Sequence, residues 1–174
     1  MIKRINRNPF LSIRSAMNYF GLVLLFSSFI FSCSPYKTDY KYFDGLVKYM
    51  NEHHQVNIQD NTSDQYYYLI MADADCVCTT LNLNSIKQNL QALGKNLTVV
   101  LIGEVSEDLY QNYVNDLAKV VSIIYDKDKA IYQYRTAIGK PIFIHTYGPQ
   151  LKYGKIVNDP EVQLIADYVS DKVG

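Results

Sequence analysis

The chain has 174 residues, of which 17 are Lys or Arg and 17 are Asp or Glu, so its formal net charge at pH 7 is zero. Four of the basic residues and none of the acidic ones precede residue 33, which leaves the rest mildly acidic, with 13 basic and 17 acidic side chains. No cluster of Lys or Arg follows along the sequence after residue 33, and this pattern argues against a nucleic-acid partner.

Residues 1–32 have the pattern of a secretory signal peptide. Basic side chains come first, and the apolar run "FGLVLLFSSFIF", Phe20 to Phe31, follows them. This run is shorter than the roughly 20 apolar residues that span a membrane, so a retained anchor helix is the weaker alternative. Met17 is a second candidate start, and a chain beginning there would lack the basic segment.

The sequence "IFSC" resembles the lipobox of bacterial lipoproteins, with Ile30 three places before Cys33 and the small Ser32 just before it. The resemblance implies that Cys33 is diacylated and becomes the mature N-terminus. We therefore expect a lipoprotein signal peptide (1–32), a tether (33–40) and one domain (41–174). The expected location is the bacterial cell envelope, lipid-anchored at the periplasmic face or the outer surface, with acyl chains rather than charge making the membrane contact.

Apolar periodicity predicts two helices and two strands in the first half of the domain. The first helix carries its apolar stripe at Phe43, Leu46, Val47 and Met50. A polar connection with a brief strand at its start follows, "VNIQDNTSD". Two apolar runs suit strands buried on both faces of a parallel sheet, Tyr66 to Met71 and Leu97 to Ile102. The helix between them ends at Gly94 and has on one face Leu83, Ile86, Leu90 and Leu93.

In the second half of the domain, the sequence predicts a helix, a strand, a hairpin and a last helix. Ser106 caps the first of these, whose inner face is Tyr110, Tyr113, Val114 and Leu117. A strand from Val120 to Tyr125 precedes a turn with a short irregular helix. The hairpin starts directly after Pro141, at "PIFIHTY". Asp159 and Pro160 begin the last helix, whose apolar face is Val162, Ile165, Ala166 and Val169.

Two of the three cysteines, Cys76 and Cys78, lie where the first strand turns into the following helix. If Cys33 is lipidated, Cys76 and Cys78 are the two cysteines of the exported chain that remain able to form a disulfide with each other. A disulfide needs Cα atoms roughly 4.4–6.8 Å apart, which residues two apart reach in a turned backbone but barely in an extended one. A helix N-terminus lowers the pKa of a thiol in its first turn, whereas Asp73 and Asp75 would oppose a second negative charge nearby.

The order of elements over most of residues 41–172 resembles the thioredoxin fold. It is most similar in style to the membrane-anchored thioredoxin-like proteins of the TlpA and ResA type, which carry an extra strand and helix before the hairpin, here at Val120 to Lys140. The block "GKPIFIHTYGPQLKYGKIVND" is similar to the "GTPTFxxxDxxGKI" segment of that family. The resemblance implies an α/β fold, a three-layer α/β/α sandwich with a mixed central sheet.

The same resemblance implies the roles of three residues. Cys76 would attack a partner's disulfide, Cys78 would resolve the mixed disulfide, and Pro141 would be cis and face the two sulfurs. The implied partners are protein thiols and disulfides of the cell envelope, with no cofactor. This chain departs from the family pattern in having one residue rather than two between the cysteines, and Asp75 where the family has Trp.

Two other interpretations stay open. A catalytically degenerate thioredoxin fold could serve as a binding or accessory lipoprotein, because fold does not determine function. Two thiolates also suit Cu(I), but His145 would lie about 13 Å along a strand from Pro141, too far to join them. His53 and His54 end the first helix, where solvated histidines are common, so we expect no metal site.

Overall fold

The structure, a computed structural model, describes residues 38, 40–72, 77–158 and 162–173, and for residues 77, 78, 92, 162, 164, 172 and 173 it describes the backbone alone. Residues Tyr36–Gly174 form one compact unit. The signal-peptide and lipid predictions for residues 1–33 lie outside the described residues. The same is true of the predictions that concern Asp73, Asp75, Cys76 and the cap at Asp159 and Pro160.

Five strands form one mixed sheet in the order β3-β2-β1-β4-β5. The strands are β1 (Asp64–Met71), β2 (Leu97–Ile102), β3 (Ser122–Asp126), β4 (Ile142–Tyr147) and β5 (Gln150–Ile156). β1 and β2 are parallel, as are β2 and β3, whereas β4 runs antiparallel to both of its neighbours. The predicted strand after Val120 is the edge strand β3, and the predicted hairpin is β4 and β5.

Five helical segments of the described ranges pack around this sheet. They are α1 (Phe43–His54), α2 (Val77–Gln88), α3 (Leu90–Leu93), α4 (107–117) and α5 (Val162–Val173). Short 3-10 helices are Ile58–Asp60, Gly94–Asn96 and Ala130–Gln133. No helix within the described part of the chain is both long and apolar enough to cross a membrane.

The side chains of β1 alternate between two hydrophobic cores, one on each face of the sheet. Tyr66, Tyr68 and Ile70 belong to a core that α2 to α5 cover. Tyr67 and Leu69 belong to a second core that α1 and two of the 3-10 helices cover. Helices on both faces of a mixed sheet make three layers, so the predicted thioredoxin-like α/β/α fold is confirmed.

Two local predictions are wrong. The brief strand expected before the first long strand is instead the 3-10 helix Ile58–Asp60, and the side chain of Asn57 accepts a hydrogen bond from the Gln59 amide at its start. The second concerns the inner face of α4, where Leu109 is buried and Tyr110 is 36% exposed. The π-helical turn Tyr110–Val114 in the middle of α4 has i→i+5 hydrogen bonds, so the apolar face no longer follows the 3.6-residue period.

Thr146 carries a fully buried hydroxyl for which the described residues offer no hydrogen-bond partner. A buried hydroxyl without a partner destabilises the folded state, and valine has nearly the same shape without this group. We expect Thr146→Val to raise the free energy of unfolding by about 1 kcal/mol, measured by urea denaturation. The same change at the partly exposed Thr98 of β2 serves as control. An unchanged or lower free energy of unfolding for Thr146→Val would contradict the conclusion that the Thr146 hydroxyl is buried without a hydrogen-bond partner.

Candidate functional site

The candidate site lies at the edge of the sheet where the three parallel strands end. The Ala72 amide, just past β1, donates to the carbonyl of Ile102 at 2.8 Å, and the Gly103 amide, just past β2, donates to the carbonyl of Asp126 at 2.9 Å. β4 starts at the same edge, because Ile142 pairs with Leu69 in antiparallel register. Ligands of open α/β sheets bind outside the carboxyl ends of the strands.

The backbone of Cys78 lies in the first turn of α2, which begins at Val77. Thr79, the next residue, is buried, and its hydroxyl donates to the carbonyl of Met71 at the end of β1, at 2.8 Å. This bond joins the first turn of α2 to the carboxyl end of the central strand. Cys76 lies outside the described residues, so its predicted pairing with Cys78 stays a prediction.

Pro141 is at the expected place, but the prediction that it is cis is wrong. No peptide bond among the described residues is cis, so the Lys140–Pro141 bond is trans. Pro141 is buried directly before β4, and its carbonyl accepts a hydrogen bond from the Val157 amide at 2.7 Å. The trans isomer is the one that an X–Pro bond intrinsically favours, by about 0.5–1 kcal/mol. The family's conformation at this proline therefore does not transfer to this chain.

A buried hydrogen bond lies one helical turn beyond Cys78. The hydroxyl of Tyr68 in β1 donates to the side-chain carbonyl of Asn82 in α2, and both residues are almost fully buried. Burial raises the pKa of Tyr68, so its hydroxyl remains a donor at neutral pH. The pair fixes the position of α2 on the sheet, and with it the first turn that carries Cys78.

Tyr132 is a site residue that the sequence did not indicate. It belongs to the 3-10 helix Ala130–Gln133, and its hydroxyl donates to the sulfur of Met71, the last residue of β1, at 3.6 Å. Tyr132 is 50% exposed, so its ring is accessible to a partner at this edge. Tyr132 is 61 positions after Met71 in the sequence, and no local sequence pattern indicates such a contact.

A shallow depression of about 510 Å³ lies beside Pro141, lined by Ala137, Gly139, Lys140, Ile156 and Asn158. The ammonium group of Lys140 donates to the side-chain carbonyl of Asn158 across it, at 2.5 Å. The start of β4 and the end of β5 border the depression, so it lies at the same edge of the sheet as the end of β1. The depression therefore offers space beside the start of β4, and β4 separates the end of β5 from β1.

Asp126, at the end of β3, is a buried carboxylate that holds the segment after β3 in place. It accepts hydrogen bonds from the amides of Ala130 and Ile131, at 2.8 and 3.0 Å. The buried Tyr49 of α1 feels the same carboxylate: burial, followed by the negative charge of Asp126, raises the pKa of Tyr49. Two buried amides thus converge on this one carboxylate, and the segment they anchor includes Tyr132.

We expect Asp126→Ala to lower the free energy of unfolding by about 2–5 kcal/mol, because two buried amides lose their acceptor. Asp128→Ala is the matched control: it lies in the same turn, is exposed, and should change stability by no more than about 0.5 kcal/mol. Asp126→Asn, which keeps one acceptor oxygen, should fall between the two. Chemical denaturation of the three variants checks this, and equal losses for Asp126→Ala and Asp128→Ala would contradict it.

His145 lies toward the other end of the sheet from the candidate site. Its ring is buried in β4 and hydrogen-bonded to Tyr168 of α5, and its Nε2 is 2.7 Å from the carboxylate of Asp64 at the start of β1. His54 makes a hydrogen bond of 2.8 Å with the Tyr49 hydroxyl. Within the described parts of the chain, no group of three or more His, Cys, Asp or Glu side chains could hold a metal ion.

Comparisons with known proteins found a similarity to a solved structure. No protein-family model matches the chain, and no curated protein matches it. Among solved structures, the chain is similar to a thioredoxin-like protein from Bacteroides caccae ATCC 43185, with 21% identity, a TM-score of 0.39, and coverage of 66% of this chain and 42% of that one. This chain therefore spans less than half the length of that protein. The fold assignment rests on the strand order and register of the chain itself.

Proposed function

We propose that this protein is a lipid-anchored, thioredoxin-like lipoprotein of the bacterial cell envelope that exchanges thiols and disulfides through Cys76 and Cys78. One observation carries the proposal: the first turn of α2, which contains Cys78, begins at the carboxyl end of the central strand of a thioredoxin-like sheet. The partial positive charge of a helix N-terminus stabilises a thiolate in that turn.

The proposed reaction is a two-step exchange that balances in electrons and protons. The Cys76 thiolate attacks a partner's disulfide, forming a mixed disulfide and releasing one partner sulfur, which takes up a proton. The Cys78 thiolate then attacks the Cys76 sulfur, which releases the second partner thiol. The partner's disulfide gains two electrons and two protons, and the two cysteines of this chain end joined as a disulfide. The reverse sequence oxidises a partner dithiol.

Three features support the proposed access of a partner protein to the site and the location of the domain at a membrane. The half-exposed Tyr132 lies at the end of β1, and the depression beside Pro141 offers room for an extended segment of a partner protein. The lipobox-like segment at Cys33 supports an anchor that holds the domain, 41–174, at a membrane, while the short polar tether keeps it in the aqueous phase.

A second candidate function is a binding or accessory lipoprotein that uses the same fold without redox turnover. The trans bond before Pro141 favours it, since the family's arrangement at this proline is absent here. The short spacing of the cysteines and the acidic residue before Cys76 also favour it. On this alternative the same edge of the sheet would bind a partner protein without forming a covalent bond to it.

A disulfide-reduction assay separates the two functions. The mature lipidated protein in detergent, reduced and then mixed with insulin and dithiothreitol, should accelerate insulin precipitation above dithiothreitol alone. Mild oxidation of the reduced protein should consume two thiols per chain, those of Cys76 and Cys78. A rate equal to that of dithiothreitol alone, with both thiols retained after oxidation, would refute the exchange reaction and favour the binding function.

A further inference from the structure

An open groove of about 580 Å³ lies at the start of α1, remote in sequence from the cysteines. One wall is the first part of α1 with the residues before it, and the other is the chain that follows the 3-10 helix Ala130–Gln133. Its lining includes three cationic side chains, those of Lys41, Lys48 and Arg135. We refer to this feature as the cationic groove.

The two walls of the cationic groove are held together by close packing and by hydrogen bonds. A Cβ atom at Gly45 would lie 2.4 Å from the carbonyl oxygen of Arg135, so only glycine allows the walls to approach this closely. The hydroxyl of Tyr134 donates to Glu52 at 2.9 Å, and the hydroxyl of Tyr40 donates to the carbonyl of Thr136 at 3.1 Å. The backbone segments that carry the three cationic side chains are therefore held in a fixed position relative to each other.

The charge of the cationic groove is opposite to that of the domain as a whole. Lys41 and Arg135 have no ion-pair partner within the described residues, and the ion pair of Lys48 with Glu52 is long, at 3.8 Å, and exposed. The ammonium group of Lys48 also lies 6.0 Å from the centre of the Tyr134 ring. Asp44 is the acidic residue of the lining. The chain after residue 33 carries 13 basic and 17 acidic side chains, so three cations around one groove form a local positive patch on an acidic protein.

The groove begins where the proposed lipid tether ends. Tyr40 is buried, and its amide donates to the carbonyl of Gly154 at 3.3 Å, so the chain is fixed to the domain one residue before Lys41. Tyr40 is seven positions after Cys33, a span of at most about 25 Å when fully extended. A lipid on Cys33 would thus keep this end of the domain close to the headgroups, where the surface potential acts within about 10 Å.

We propose that the cationic groove binds the phosphate groups of an anionic phospholipid surface and so orients the tethered domain on the membrane. The proposal rests on the lipid anchor of the proposed function. An open groove next to a tether suits a surface that presents many phosphates, and each Lys or Arg near such a surface strengthens the contact about five-fold. The acidic remainder of the domain would face away from the same surface.

Lysine footprinting on vesicles tests this proposal. The mature lipidated protein is reconstituted into vesicles of phosphatidylcholine, with or without phosphatidylglycerol, and the acetylation rate of each lysine is measured by mass spectrometry. We expect acetylation of Lys41 and Lys48 to slow about five-fold when phosphatidylglycerol is present, and high salt to remove the effect. Lys95 and Lys119 are exposed and lie outside the groove lining, so their rates should not change.

Variants of Arg135 sharpen the test without removing either labelled lysine. Arg135→Gln should reduce the protection of Lys41 and Lys48 about five-fold, and Arg135→Lys, which keeps the charge, should restore it.

Equal acetylation of Lys41 and Lys48 on both kinds of vesicle, with the protein attached to both, would overturn the groove proposal and leave the lipid anchor standing. If inorganic phosphate without vesicles slows the acetylation of Lys41 and Lys48 as much as the phosphatidylglycerol vesicles do, the groove binds a free anion, and the membrane proposal is overturned. Failure to attach to phosphatidylcholine vesicles would refute the anchor itself.

Discussion

A Cys76→Ser variant is expected to lose catalysis of disulfide reduction completely, down to the rate of dithiothreitol alone. Serine cannot form a mixed disulfide, so the first step of the proposed exchange has no nucleophile. The effect should be chemical rather than structural, because Ser and Cys have nearly the same volume. Equal midpoints of urea denaturation for the reduced wild type and the variant would establish this.

Cys78→Ser is the informative counterpart, since it removes the resolving thiol and keeps the attacking one. This variant should accumulate as a mixed disulfide with insulin chains, which non-reducing electrophoresis shows as a band that dithiothreitol abolishes. If Cys78→Ser turns over normally while Cys76→Ser traps the partner, the two roles are exchanged. If both variants keep the wild-type cellular phenotype, the binding function is favoured instead.

The second large effect is expected at high pH, because the core of this protein is built around tyrosines. Five tyrosines that are at least 94% buried have a raised pKa, chiefly through burial, which disfavours the phenolate: Tyr40, Tyr49, Tyr66, Tyr67 and Tyr68. In the unfolded chain each would lose its proton near pH 10. Above that pH the folded state holds more protons than the unfolded state, so the free energy of unfolding falls as the pH rises.

The size of this effect makes unfolding at alkaline pH the expected outcome. Each tyrosine that stays protonated in the folded state lowers the stability by about 1.4 kcal/mol per pH unit above pH 10. Several such residues together should exhaust a typical stability of about 5–15 kcal/mol within a few pH units. Circular dichroism across a pH series measures the transition, and a stability that is constant from pH 9 to pH 12 would contradict this account.

Two tyrosine variants provide a matched test of the cause. Tyr68→Phe removes a buried hydroxyl, so the alkaline fall in stability should become shallower by about 1.4 kcal/mol per pH unit. At neutral pH the same variant should be less stable by about 1–3 kcal/mol, because the buried hydrogen bond from Tyr68 to Asn82 is lost. Tyr147→Phe changes a side chain that is 48% exposed and should leave the alkaline fall unaltered.

Most of the fold could be predicted from hydrophobic patterns, because these patterns reflect which side chains must leave water. The predicted second strand, Leu97 to Ile102, has the observed boundaries, and the first differs only in beginning at Asp64. The hairpin after Pro141 follows the same rule. The prediction for α4 is wrong at Tyr110, since a π-helical turn changes the hydrogen-bond spacing without leaving a trace in the apolar pattern.

The candidate site could be predicted only in part. The position of the cysteines at a strand-to-helix junction is a local property, and the start of α2 at Val77 agrees with it. The bond before Pro141 is trans, although the family pattern implied cis, because an isomer depends on the packing of the whole segment and a short motif does not set it. Tyr132 was not predicted, since only the folded chain brings it to Met71.

The sequence by itself determined the order of the main helices and strands, the junction that carries Cys78 and the acidic balance after residue 33, because each follows from local composition and periodicity. The mixed sheet was an expectation from the family resemblance. Only the tertiary structure decided which distant groups meet. Lys41, Lys48 and Arg135 form no cluster along the chain, yet the fold places them around one groove. Asp126 of β3 likewise acts on Tyr49 of α1, whose pKa its negative charge helps to raise. Such contacts depend on how separate elements pack, and the energy of packing is shared among residues that no local pattern connects.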